Sequence, residues 1–144
     1  MNTSIKTLLN TRAGYGLTVL RIIVGIIFIA HGSQKLFGAF GGYGLEGTGQ
    51  FMESLGLTPG YLMALLSGSA EFFGGLALLI GLLVRPAAAV LILLLVVAIF
   101  SVHIGNGLFM ANNGYEFALA LLGGSIAVLI EGAGRLSVDS VIAK

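Results

Sequence analysis

Apolar residues gather in four long runs, separated by short polar or glycine-rich stretches. The runs extend roughly from Leu17 to Phe37, Tyr61 to Leu83, Pro86 to Ile104 and Tyr115 to Ile130. A transmembrane helix needs about 20 mainly apolar residues, because the hydrocarbon core is about 30 Å thick. The pattern therefore predicts an all-α chain, a single domain over residues 1–144 built as a bundle of four transmembrane helices. Helix punctuation marks the ends. Thr58-Pro59 predicts an N-cap ahead of a proline in the first turn of the second span, and Arg85-Pro86 a tight connection into the third. Asn113 and Glu116 stand at capping-box spacing before the fourth, which Gly132 and Gly134 close.

Composition narrows the class further. Hydrophobic residues make up 57% of the chain and charged ones 9%, where a soluble domain carries about 25% charge. A mean hydropathy of +1.04 agrees with a membrane protein whose main partner is the lipid bilayer. The net charge of +1 excludes a nucleic-acid surface, and the low charge excludes a disordered tail. With no cysteine, disulfides, CxxC chemistry, thiolate metal sites and iron–sulfur clusters are excluded as well.

Lys6 and Arg12 precede the first run as they would in a signal peptide. Arg21 lies inside that run, the run is long and no A-x-A-like site follows, so it reads as a retained helix. With four spans, Lys6, Arg12, Arg21, Arg85, Arg135 and Lys144 fall on one side and only Lys35 on the other. The positive-inside rule then puts both termini in the cytoplasm of a bacterial inner membrane. The outward loop 38–60 holds eight glycines. Within it Phe51, Met52 and Leu55 follow Thr48 and Gly49 at helical spacing and predict a short amphipathic helix at the interface. Residues 135–144 read as a short polar tail.

Ionisable residues are expensive in a bilayer, which makes Arg21, His31, Lys35, Glu71, His103 and Glu116 the informative positions. At 1.5 Å per residue, Lys35 lies about 3 Å, His31 about 9 Å and Glu71 about 15 Å from the outer end of its span. His103 ends the third span and Glu116 begins the fourth, while His31 and Lys35 share a helix face. The distribution predicts a polar pocket opening outward and floored by Glu71, with His31 and Lys35 as its nearest cationic partners. Each residue also has a structural reading. Lys35 can snorkel to headgroups, Glu116 can close the capping box, and His103 can sit at the interface. Arg21 can pair with lipid phosphates or a carboxylate, and Glu71 can form a bridge between the first two helices. Gly25, Ser67, Gly68, Ser69, Ala70, Gly74 and Gly75 suit close packing of those helices, as Gly123, Gly124 and Ala127 do in the fourth. The string Gly42-Tyr43-Gly44-Leu45-Glu46-Gly47 matches a dinucleotide fingerprint, but no strand precedes it, so it reads as a flexible loop.

Several stretches resemble the DoxX family of small four-helix bacterial membrane proteins, over nearly the whole chain. They include Arg21-Ile22 with Gly25-Ile26-Ile27-Phe28, then His31-Gly32-Ser33-Gln34-Lys35-Leu36, and Leu55-Gly56-Leu57-Thr58-Pro59. They continue with Glu71-Phe72-Phe73-Gly74-Gly75-Leu76, Gly81-Leu82, Arg85, His103, Glu116 and the closing Gly132 to Asp139. The resemblance implies a link to respiratory sulfur chemistry as a subunit of a thiosulfate:quinone oxidoreductase, to oxidative and thiol stress, or to reactive-quinone resistance. The positions at stake are Arg21, His31, Lys35, Glu71, His103 and Glu116.

Two function classes follow. The first is a redox-linked subunit that binds quinone. His31 and Lys35 would polarise the carbonyls and Glu71 would relay protons, with His103, Glu116 and Arg21 as further ligand contacts. Electrons would come from a membrane or soluble redox partner or a bound cofactor, so the chain is at most a subunit of an oxidoreductase. The second class is a non-catalytic scaffold, carrier or channel-like element; four short helices are few for a transporter, so transport would require a homo-oligomer. A bis-histidine haem on His31 and His103 is disfavoured by a depth difference of about 7 Å. No metal site is assigned.

Overall fold

The computed structural model describes residues 14–143. The expectations that involve Lys6, Arg12 and Lys144 lie outside these residues. Among the described residues the only regular structure is helical, and the elements are named here in chain order. They are α1 (Tyr15–Phe37), α2 (Gly44–Ser54), α3 (Gly60–Ile80), α4 (Val84–Ala98), α5 (Glu116–Glu131) and α6 (Val138–Ile142). A π-helical turn over Ile99–His103 and a 3-10 turn over Ile104–Asn106 continue α4. Three helices are long and apolar enough to cross a membrane: Tyr15–Phe37, Gly60–Ile80 and Val84–Asn106. The fourth expected span corresponds to α5, whose 16 residues extend about 24 Å.

Bilayer composition inverts the usual distribution of residues. Leu66, Leu93, Phe100 and Ile130 are exposed, whereas the largest fully buried side chain is that of Arg21. The apolar core joins Val24 and Phe28 of α1, Leu78 of α3, Leu91 and Leu95 of α4, and Leu121 and Val128 of α5.

α1 and α3 pack most closely because glycines remove the side chains between them. A Cβ added at Gly25 would lie 2.7 Å from the Gly75 carbonyl oxygen, and one at Gly32 would lie 2.5 Å from the Phe72 nitrogen. Gly68 meets Lys35 and Leu36, as expected for this interface. Gly74 instead faces Leu91 of α4, while Gly124 faces Val24 and Leu20 of α1. Gly123 faces open space, so the 123/127 spacing does not mark a contact within the bundle.

Several boundaries differ from the sequence reading for local reasons. α3 begins without a side-chain cap from Thr58; the Glu53 carboxylate, brought over by α2, accepts the Gly60 N–H at 3.3 Å. α3 ends at Gly81, whose left-handed backbone (φ 74°) suits a residue without a Cβ. The turn into α4 therefore precedes Arg85-Pro86, which sit in the first turn of the new helix. The Asn113–Glu116 capping box does not form. Asn113 adopts a left-handed conformation, and the Glu116 N–H donates to the Leu108 carbonyl at 2.9 Å. The glycine string at 42–47 is no flexible loop either, since Gly44 opens α2.

The largest departure is the segment after α5. Ser137 caps α6 by accepting the Ser140 N–H, and the Asp139 carboxylate accepts the N–H groups of Leu83 and Val84 at 2.8 and 3.0 Å. Residues 132–143 thus fold under the α3–α4 turn instead of trailing as a polar tail. Arg21 fixes them there. Its guanidinium donates to the carbonyls of Leu78 and Leu79 (both 2.9 Å), Ala133 (2.7 Å), Arg135 (3.3 Å) and Leu136 (2.6 Å). Two of these are C-terminal carbonyls of α3 that have no partner within their own helix. The lipid phosphate or carboxylate expected beside Arg21 is replaced by backbone.

Candidate functional site

The bundle has two chemically different ends. Arg21, Arg85 and Arg135 gather at one, with the α3–α4 turn and the folded-back C-terminal segment. Lys35 marks the other.

At the Lys35 end lies a cavity of about 1050 Å³. α1 supplies His31 and Lys35 to its wall, and α2 covers it with Thr48, Phe51 and Met52. α3 adds Met63, Leu66, Ser67 and Ala70; α4 adds a wall from Val90 to Ala98, and the π turn continues it through Ser101 and Val102 to His103 at the rim. The amphipathic helix expected in loop 38–60 is therefore present as α2. Its buried Gly49 lies against Gly60 and Tyr61 at the start of α3, which sets the helix over the cavity with Thr48 in the lining.

Close packing of α1 on α3 brings Lys35 and Glu71 together. The Lys35 Nζ donates to Glu71 Oε1 at 2.6 Å. Glu71 is 5% exposed, and its second oxygen, Oε2, is buried with no hydrogen-bond partner. A buried polar atom left bare costs on the order of 1–3 kcal/mol, so its retention calls for an explanation. Lys35 is the link between this carboxylate and the cavity, since its side chain lines the cavity while Glu71 stands behind it.

His31 is exposed and packs on Phe117 of α5, with ring centroids 5.9 Å apart. His103 contacts the Asn113 carbonyl through Nδ1 at 2.9 Å. A carbonyl only accepts, so this bond requires the proton on Nδ1 and fixes the ring orientation. π-helical turns arise where an extra residue is accommodated and are frequent at functional sites. Here the turn ends in His103 at the cavity rim.

The structure thus brings His31, Lys35 and His103 to one cavity and joins Glu71 to it through Lys35. It does not bring the other two candidates there. Glu116 is half-buried at the start of α5, outside the lining, and Arg21 lies at the opposite end with all five donors engaged. Among the described residues no group of three His, Cys, Asp or Glu side chains is arranged to hold a metal ion. Sequence reasoning did not single out Gly32 as a contact, nor the roles of Asp139 and the Asn113 carbonyl. Ser137 two residues before an acid was a legible cap for a short helix; the backbone carbonyl carried no sequence signal.

An all-helical membrane protein with an apolar cavity, rimmed at one end by two histidines and an ion-paired lysine, is the class these features define. The chain belongs to the DoxX family, whose model matches residues 16–104. It is 35% identical to the Bacillus subtilis protein named "Putative oxidoreductase CatD", over 90% of this chain and 88% of that one. It is 34% identical to the inner membrane protein YqjF of Escherichia coli, over 90% and 93% of the two chains. The uncharacterised membrane protein Rv3486 of Mycobacterium tuberculosis is 32% identical, over 87% of this chain and 80% of that one. No solved structure matches the chain.

Proposed function

We propose that this protein is the membrane-embedded, quinone-binding subunit of a redox system tied to sulfur, thiol or quinone stress. In this reading α1, α3, α4 and α5 each cross the inner membrane with both termini in the cytoplasm, and the cavity opens toward the outer face. The excess of arginines at the end opposite Lys35 supports that orientation. The naming of the Bacillus subtilis relative as an oxidoreductase supports redox chemistry in the family.

One observation carries the proposal. A lysine within an apolar cavity holds a buried carboxylate whose other oxygen is bare. Lys35 and His31 donate to the quinone oxygens, and the Lys35–Glu71 pair passes protons to them. Reduction of a quinone to a quinol consumes two electrons and two protons. The electrons come from a partner protein that carries a redox cofactor, because a chain without cysteine has no dithiol to oxidise.

The test is quinone binding to protein in lipid nanodiscs. Lys35→Met and Glu71→Gln are each expected to weaken binding about tenfold or more, the loss that follows when a hydrogen bond to a charged group is removed. Folded variants that bind as the wild type does would overturn the reading and favour a scaffold.

A further inference from the structure

The cavity is polar at one end only. His31 and Lys35 lie within about 9 Å of the end of α1, and Ser67 about 10 Å from the start of α3. Beyond them the wall consists of Ala70, Val90, Leu93 and Leu94, without a polar side chain. Val90 is thirteen residues before His103, so the cavity as a whole runs about 20 Å along α4 and its π turn, of which the apolar wall from Val90 to Ala98 takes about 12 Å. The volume of about 1050 Å³ stands at the top of the range of roughly 300–1,000 Å³ that holds a drug-sized ligand. It exceeds the needs of a single aromatic ring system.

The apolar part is also open sideways. Leu66 of α3 and Leu93 of α4 both line the cavity and are 56% and 66% exposed. A side chain can do both only where the cavity reaches the surface, so a mouth lies between α3 and α4. It opens on apolar helix faces. Lys35 and His31 supply hydrogen-bond donors at the rim, and the carboxylate behind it is screened by Lys35.

We infer that the occupant is a membrane amphiphile with one extended apolar chain, drawn from the bilayer through the α3–α4 mouth. Its hydrogen-bond-accepting head meets Lys35 and His31, and its chain lies along the apolar wall from Val90 to Ala98. This rests on the quinone reading above and narrows it to chain-bearing quinones. Lipid tails are as apolar as the groove, so the chain gains little from desolvation. Shape and route of access decide which molecules reach the rim.

The test compares two probes in nanodiscs, 2-methyl-1,4-naphthoquinone and the same ring bearing a four-isoprene chain, each at a known mole fraction of lipid. Leu93→Trp and Ala70→Phe fill the groove from its two sides, one at an exposed position where folding tolerates the change. Each variant is expected to weaken the chain-bearing probe about tenfold, as overpacking does, while the chainless probe changes less than about twofold. Equal losses for both probes, or no loss for either, would overturn the inference and leave the quinone reading intact. Failure of both probes to bind the wild type would overturn the quinone reading and this inference together.

Discussion

Counting helical rise from the span ends puts Lys35 and Glu71 about 12 Å apart in depth, with His31 nearer to Glu71. The helix contact that sets Gly68 against Lys35 and Gly32 against Phe72 reduces the offset to about one turn. Lys35 nevertheless makes the bond, at 2.6 Å. Side chains on a helix lean toward its N-terminus. α1 and α3 run antiparallel, so Lys35 leans down its helix while Glu71 leans up, and the two long side chains close the gap. The same rule sends Arg21 toward the end of the bundle, where it meets the last carbonyls of α3. Residue types and depths were therefore legible in the sequence; which cation pairs with which partner was not, because that depends on side-chain direction and helix contact. Two predictions belong at this scale. In a double-mutant cycle of Lys35→Met and Glu71→Gln, unfolding in detergent should give a coupling energy of about 1–3 kcal/mol, and additive effects would mean the pair does not form. Arg21→Met strips five carbonyls of their donor and should cost roughly 3–5 kcal/mol, with faster proteolysis after Gly132. Dependence on anionic lipid instead would restore the phosphate pairing expected from sequence.

Between helices, single carbon atoms decide stability. Gly25 and Gly123 both stand in the middle of helices and look alike in sequence. A Cβ at Gly25 would come within 2.7 Å of a backbone oxygen that cannot move aside, whereas one at Gly123 meets nothing within 4 Å. Gly25→Ala should therefore destabilise by about 1–3 kcal/mol through overpacking. Gly123→Ala should be neutral or stabilise by up to about 1 kcal/mol, the helix-propensity gain. Thermal melts of the two variants side by side check this, and equal losses would contradict the packing described. The turn between α3 and α4 depends on Asp139, a residue more than fifty positions away from it. Asp139→Ala removes the acceptor of two N–H groups and should cost about 0.5–2 kcal/mol, as loss of an N-cap does. The short helix α2 was legible from Phe51, Met52 and Leu55, although its start at Gly44 was hidden by glycines that read as loop. The π turn before His103 was not legible at all, because hydrophobic periodicity does not report one extra residue in a turn.

At the scale of the whole molecule, the charged residues among those described stand toward the two ends, apart from Glu71 within α3, and apolar side chains are exposed between them. Phe37, Phe40, Tyr43, Tyr61 and Phe109 are exposed near the Lys35 end, where aromatic rings suit the membrane interface. Helix class and the polar character of that end followed from pattern and charge alone. The size of the cavity, its cover by α2 and its mouth between α3 and α4 came from packing, which no local pattern encodes. The central claim is that this cavity holds a quinone against Lys35 and its buried carboxylate. Organic extraction of the purified protein, followed by mass spectrometry, tests it most directly. We expect quinone to co-purify with the wild type at close to one molecule per chain and to be largely lost from folded Lys35→Met protein. Quinone no more abundant in the wild-type extract than in that of an unrelated membrane protein purified alongside would contradict the claim.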